Sequence, residues 1–263
     1  MNSSLDVRLI HLRVADLTRS VEFYAKKLGF VPNRVTAEEA ELAPSPEAPG
    51  ILRLTVDRTA ESPPAGTAGL FHAALLLPSR AALGNWLQRV ASAGVAFDGF
   101  SDHGVSEALY LTDPEGNGLE FYCDRPREEV PTRNGQLAMG TLPLDLNSLL
   151  AAGATSDVGL ESGILAGSRW GHLHLRVSDL DRSTPFYAAA LGMTLRQEFG
   201  TGARFLAADG YHHHVGLNTW GGIHLPQPAG ALGLIEATFA VKGAKGEAAL
   251  RDPDGIGLRI AAP

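Results

Sequence analysis

The stretch RVADLTRSVEFYAKKLGF, residues 13–30, returns as RVSDLDRSTPFYAAALGM at residues 176–193. The two match as R-V-x-D-L-x-R-S-x-x-F-Y-A-x-x-L-G, with Arg13 aligned to Arg176. Each starts on an alternating strand and passes through Asp16 or Asp179. Helical spacing follows, with Phe23, Tyr24 and Leu28, or Phe186, Tyr187 and Leu191, on one apolar face. Gly29 and Gly192 sit where a left-handed residue ends a helix. A match this long marks duplicated units.

A second pair of segments extends the repeat. The strand FHAALLL (71–77) leads to a helix, ALGNWLQRVASAG (82–94), and then to YLTDPEGNGLEFY (110–122). LIEATFAV (234–241) leads directly to LRDPDGIGLRI (250–260). Both units close with DPxG-x-G-L and a strand. The chain therefore reads as four strand-helix-strand-strand-strand modules, starting near residues 8, 70, 171 and 233. The span from Glu236 to Asp252 is less than half as long as its counterpart from His72 to Asp113. The fourth module is short by enough to lose its helix and a strand. The expected fold class is α+β, with four βαβββ modules in two curved-sheet half-barrels. Residues 126–168 read as a linker with a short helix over Leu144 to Ala152.

Composition narrows the function classes. The chain has 263 residues, 44% hydrophobic and 19% charged, an ordinary globular balance. A net charge of −7 with mixed signs argues against nucleic acid as a partner. No apolar run reaches the roughly 18 residues that span a bilayer. The N-terminal MNSSLDVRLI has neither the basic region nor the apolar core of a signal peptide. Cys123, the single cysteine, cannot form an intrachain disulfide, and a cytoplasmic location is expected.

Chemistry concentrates in DHGVSEALYLTDPEGNGLE, residues 102–120. It gathers His103, Tyr110 and Glu120 around the turn Asp113-Pro114-Glu115-Gly116. Beyond the turn Leu119 and Phe121 alternate with Glu120, so Glu120 faces away from the apolar pair. One strand Glu beside such a turn is ordinarily a solvated residue. Glu is nonetheless poorly suited to strands and costly to bury unpaired, and a metal is a good reason to place one there.

These motifs resemble the vicinal oxygen chelate superfamily: paired modules with H-x-x-L, V-x-D-L-x-x-S-x-x-F-Y and DPxGN-x-x-E. GLFHAALLLPSRAAL (69–83), DHGVSEALYLTDPEGNGLEFY (102–122), GHLHLRVSDL (171–180) and GYHHHVGLNTW (210–220) look more closely like the extradiol ring-cleaving, catechol 2,3-dioxygenase-like group. The resemblance implies a glyoxalase/extradiol dioxygenase-like fold with two superfamily domains. Residues 7–125 would carry the first and second modules, and 169–263 the third and truncated fourth. It also implies a mononuclear site of two His and one Glu. Such a site binds Fe(II), sometimes Mn(II), and keeps positions open for a catecholate and O2. The implied partners are a small aromatic diol and O2; folds of this kind often pair through their edges, which leaves a homo-oligomer open.

Carried over residue by residue, the resemblance makes His72 and Glu120 ligands from one module. The remaining His is expected seven residues before the Asp of V-x-D-L. That position is His172 in the third module but Leu9 in the first. The second and third modules are therefore expected to share one barrel with His72, Glu120 and His172 around the metal, leaving the first and fourth to pair. The fourth has Glu236 where His72 would stand, and its last strand has no carboxylate. Tyr110 and His103 match residues near the substrate oxygens. His213 and His214, expected on the third module's last strand, are both candidates for the acid–base, since imidazole suits proton transfer near neutral pH. His11 and His174 read as structural or packed behind the ligands, and His224 as a surface residue. Asn218 and Trp220 are open between pocket lining and core packing.

The favoured function is extradiol cleavage of a catechol-type ring. Two alternatives stand beside it. A glyoxalase-like lyase or isomerase would usually want a second carboxylate ligand. A non-catalytic protein that sequesters an aromatic compound, as in resistance, is suggested by the shortened fourth module.

Overall fold

The computed structural model describes residues 4–133, 136–154 and 165–263, so part of the linker, 134–135 and 155–164, lies outside the described residues. The first module runs β1 (Leu5–Val14), α1 (Leu17–Glu22, continued by a π-helix over Phe23–Leu28), β2 (Val31–Val35), β3 (Glu39–Ala43) and β4 (Leu52–Val56). The second runs β5 (Gly69–Leu76), α2 (Arg80–Ser92), β6 (Gly99–Asp102), β7 (Ser106–Thr112) and β8 (Gly118–Asp124). The linker holds the two short strands β9 (Thr132–Arg133) and β10 (Gln136–Leu137) and the helix α3 (Leu146–Ala154), slightly later than expected. The third module runs β11 (Arg169–Arg176), α4 (Leu180–Leu191), β12 (Thr194–Phe199), β13 (Ala203–Ala207) and β14 (Val215–Asn218). The fourth has only β15 (Gly233–Val241), β16 (Ala248–Arg251) and β17 (Gly257–Ala261). It has lost both its helix and one strand.

Local chemistry accounts for the helix ends. The Asp16 side chain accepts from the Arg19 amide, and that of Asp179 from the amides of Asp181 and Arg182. These caps satisfy amides that have no partner within the helix. Gly29 (φ 93°) and Gly192 (φ 64°) close the helices in the left-handed region, where a Cβ would be strained.

Two large curved sheets result. One has the order β12-β13-β14-β11-β5-β8-β7-β6, the other β16-β17-β15-β1-β4-β3-β2. The seam of the first is the antiparallel pair β5–β11, and that of the second β1–β15. Each sheet thus joins one module from each half of the chain: the second with the third, the first with the fourth.

Other contacts tie neighbours in sequence. Tyr24 of the first module donates its hydroxyl to buried Asp113 in the second module's DPxG turn, at 2.8 Å. Tyr187 of the third donates to Asp252 in the fourth, at 3.1 Å. The repeated F-Y and DP motifs are the two ends of this one hydrogen bond. Burial pushes the Asp113 carboxyl above its usual range, against hydrogen bonds from Asn117 and Tyr24.

The alternation in β8 does what the sequence predicts. Leu119 and Phe121 enter the main core, where Phe121 stacks on Trp86 of α2 with ring centroids 3.7 Å apart. Burying rings of this size is worth about 1.5–3 kcal/mol each. Glu120 and Tyr122 point to the opposite, concave face. No helix among the described residues is long and apolar enough to cross a membrane.

Candidate metal centre

Register across four strands builds the site. His172 on β11 lies opposite Ala74 on β5, Ala74 beside Glu120 on β8, and Glu120 opposite Tyr110 on β7. One row therefore reads His172, Ala74, Glu120, Tyr110. Alanine in the middle lets two longer side chains converge above it. His72 lies two residues before Ala74 on β5, hence on the same face.

His72, Glu120 and His172 offer ligand atoms that all lie within 4.8 Å of one another. Nε2 of His72 and Nε2 of His172 stand 3.0 and 3.2 Å from the same oxygen, Oε2 of Glu120. The first contact lacks hydrogen-bond geometry, and Nε2 of His72 is left without a partner in a buried setting. Glu120 and His172 are each 2% exposed and His72 8%.

The electrostatics fit a cation. Burial drives His172 down to about 4, with Glu120 pulling the other way, so its ring is neutral at neutral pH. Burial alone would raise Glu120, but His172 and His72 outweigh it and hold the carboxyl well below the usual range. The pair together is best described as a carboxylate facing neutral imidazole. That is the protonation state in which such groups bind a divalent metal. A buried carboxylate so placed lacks a positive charge, which a divalent ion would supply.

Tyr110 and His103 form an adjoining chain. Nδ1–H of His103 donates to the Gly140 carbonyl at 2.6 Å, which leaves Nε2 to accept from the Tyr110 hydroxyl at 2.7 Å. Burial, reinforced by Glu120, pushes the Tyr110 phenol well above its ordinary range and keeps it a donor.

These groups open onto a cavity of about 400 Å³. Its lining includes Phe71, Phe100, Phe199, Phe205 and Trp220, and among the described residues its ionisable side chains are Glu120, Tyr110 and histidines. Every lining residue lies between positions 71 and 220, in the second module, the linker and the third. The shortened fourth module does not touch the cavity.

The histidine run departs from expectation. His212, His213 and His214 precede β14, which begins at Val215, so they occupy the turn leading into the strand rather than the strand itself. His213 lines the cavity, with its ring 4.0 Å from that of His172. His214, the equal candidate on sequence grounds, does not line it. Its ring packs on Tyr211, and its Nδ1 accepts from the Ala208 amide at 3.3 Å. His174 also faces the cavity, its ring 4.9 Å from that of His72, seated over Gly216 where a Cβ would collide with it.

Trp220 lies at the cavity and is 40% exposed, whereas Asn218 is fully buried and accepts from the Trp220 amide instead of lining the pocket. His224 is exposed in a loop, and His11 bonds Thr55 in the other sheet at 2.8 Å.

In the outer sheet the same repeat positions hold different chemistry. Glu236 stands where His72 does in the repeat, and Arg259 where Glu120 does. They form an ion pair at 2.7 Å. Leu9 completes the contrast with His172. A guanidinium there neutralises the carboxylate directly.

Sequence reading missed the linker's part in the site. Met139 and Thr141 line the cavity, and Gln197 of β12 clamps the Met139 backbone through two hydrogen bonds of 3.0 and 3.2 Å. In one dimension the linker shows its composition and one short helix, and neither signals a cavity wall. The aromatic residues Phe71, Phe199 and Phe205 were likewise unremarked.

Comparison with known proteins agrees with this architecture. Residues 7–121 and 169–232 match the Glyoxalase/Bleomycin resistance protein/Dioxygenase superfamily. A catechol-2,3-dioxygenase of Bacillus subtilis (strain 168) is 39% identical over 227 residues, covering 85% of this chain and 78% of that protein. Glyoxalase I of Zea mays superposes with a TM-score of 0.57 at 16% identity, covering 99% of this chain and 93% of its own. The cppA protein of Streptococcus pneumoniae TIGR4 does so at 0.55 and 10%, with full coverage of both. At such identities the two structures speak for the fold alone. On the matched residues and the Bacillus relative, the chain belongs to the glyoxalase/bleomycin resistance protein/dioxygenase superfamily.

Proposed function

We propose that this protein is an extradiol dioxygenase that opens a catechol-type ring with O2, using Fe(II) or Mn(II) held by His72, His172 and Glu120. The observation that carries the reading is the convergence of two imidazoles and one carboxylate at the floor of an aromatic-lined cavity. The catechol-2,3-dioxygenase relative supports the same reaction class. Held by His72, His172 and Glu120, such a metal would supply a Lewis acid to bind the diol and bring it together with O2.

The chain's own residues would do the rest. Phe71, Phe205 and Trp220 exclude water and hold an aromatic ring flat against apolar walls. Tyr110 keeps its proton next to Glu120 and directs it between His103 and a substrate oxygen. His213, on the other side of His172, offers a neutral imidazole to accept or return the diol proton. Burial and the surrounding histidines hold it well below its ordinary range, so it is uncharged at neutral pH.

The single carboxylate among the converging ligands weighs against a glyoxalase-type reaction. The cavity is lined without the fourth module, which supports the enzyme reading over a binding protein.

The test is anaerobic reconstitution with Fe(II) or Mn(II), followed by O2 uptake and ring-opened product formation with catechol and with 3- and 4-substituted catechols. Stoichiometric O2 consumption is expected. A fully metallated protein that binds catechols yet consumes no O2 would refute dioxygenase action and favour sequestration.

A further inference from the structure

Behind the cavity, His213 is tied to a chain of polar groups that the reaction described above does not use. Nδ1 of His213 and Nδ1 of His212 are 2.8 Å apart. Nε2 of His212 is 2.9 Å from Oδ1 of Asp124, at the end of β8. The same oxygen accepts from the Tyr211 hydroxyl at 3.1 Å, and a hydrogen bond of 2.8 Å joins the hydroxyls of Tyr211 and Tyr122. His212 and His213 are nearly buried, while Asp124 is partly exposed on the far side.

Hydrogen-bond bookkeeping orients this chain. A carboxylate only accepts, so both the Tyr211 hydroxyl and Nε2 of His212 must donate to Asp124. A neutral His212 with its proton on Nε2 has a bare Nδ1. That nitrogen can only accept, so the bond between the two rings requires the proton to sit on Nδ1 of His213. A neutral His213 then has a bare Nε2, the one ring nitrogen left to the cavity it lines.

The geometry points to Asp124 and His212 as positioning residues that fix His213 in the Nδ1–H tautomer and present Nε2 as a proton acceptor. Neither lines the cavity, and the His212 ring meets that of His172 edge-on with centroids 6.0 Å apart. Their effect passes through His213, as the partner of a catalytic histidine sets which of its nitrogens is free. The consequence for turnover rests on the dioxygenase reading; the tautomer assignment does not.

The experiment separates the two. Protein labelled with 15N at histidine is examined by long-range 1H–15N correlation, both metal-free and loaded with diamagnetic Zn(II). His212→Gln and His213→Gln assign the signals. A bare ring nitrogen resonates far from a protonated one. The expected pattern is His212 protonated on Nε2 and His213 on Nδ1, with Nε2 of His213 bare. In Asp124→Ala the acceptor is gone, and both rings should become tautomer mixtures. A doubly protonated His212, or His213 protonated on Nε2, in the wild type would overturn the assignment. So would tautomers unchanged in Asp124→Ala. In parallel, Asp124→Ala should lower kcat with catechol about 10²-fold, the lower end of what a positioned acid–base contributes. KM and bound metal should stay within twofold. Unchanged kcat beside altered tautomers would refute the positioning role. A wild type that shows the expected tautomers but turns over no catechol would overturn the dioxygenase reading alone.

Discussion

His172→Ala and His11→Ala form a paired test of where the metal sits. Both remove an imidazole from the central strand of a sheet. His172 is 2% exposed with its Nε2 3.2 Å from Glu120, whereas His11 bonds Thr55 on the opposite sheet. Truncating either destabilises the fold, so each variant is compared with its own metal-free form. A metal that binds only the native state adds RT ln(1 + [L]/Kd), about 2.7 kcal/mol at a hundredfold excess over Kd. For a chain of this size each kcal/mol moves Tm by about 2–4 °C, giving a rise of about 5–11 °C. If loss of His172 weakens the site a hundredfold, the same metal concentration adds only about 0.4 kcal/mol, or roughly 1 °C. His11→Ala should keep the full rise. The assay is thermal unfolding with and without Mn(II), supported by metal analysis after gel filtration. If His11→Ala loses the rise and His172→Ala keeps it, the reasoning from the shared row of His172, Ala74 and Glu120 is refuted.

Three further outcomes follow from the geometry. Glu120→Ala and His72→Ala should each abolish stoichiometric metal binding while leaving a folded protein by circular dichroism; full occupancy in either would remove that residue from the ligand set. Tyr110→Phe should retain the metal but slow turnover about tenfold or more, because it deletes the donor between Glu120 and His103; steady-state kinetics equal to the wild type would leave Tyr110 a packing residue. His214 is held down to about 4, burial being the main cause, so between 6.5 and 4 the unfolded chain binds more protons than the folded one. Its contribution is complete above pH 6.5 and is lost as pH falls toward 4, about 3 kcal/mol at most. Denaturant titrations of metal-free His214→Gln should therefore fall less steeply across that window than the wild type; equal slopes would sink the idea.

Much of this protein is legible in one dimension because its information is local. The R-V-x-D-L to F-Y-A-x-x-L-G repeat, the DPxG turns and the period of two around Glu120 each act over a short stretch of chain. Even the sheet partnership could be reasoned from Leu9 standing where His172 stands, since a candidate ligand missing from one module points to its duplicate. The tertiary structure alone decided the rest, and the reason is physical. Alternation specifies side-chain direction only inside a strand, and residues 212–214 lie before one, so only the folded turn aims His213 at the cavity and His214 at Tyr211. The cavity wall at Met139 depends on a clamp from Gln197, 58 residues away, and the bond from His212 to Asp124 that anchors His213 spans 88 residues. Contacts of that range leave no period in the sequence. They arise when sheet register brings β5, β8 and β11 side by side and burial makes each polar atom find a partner.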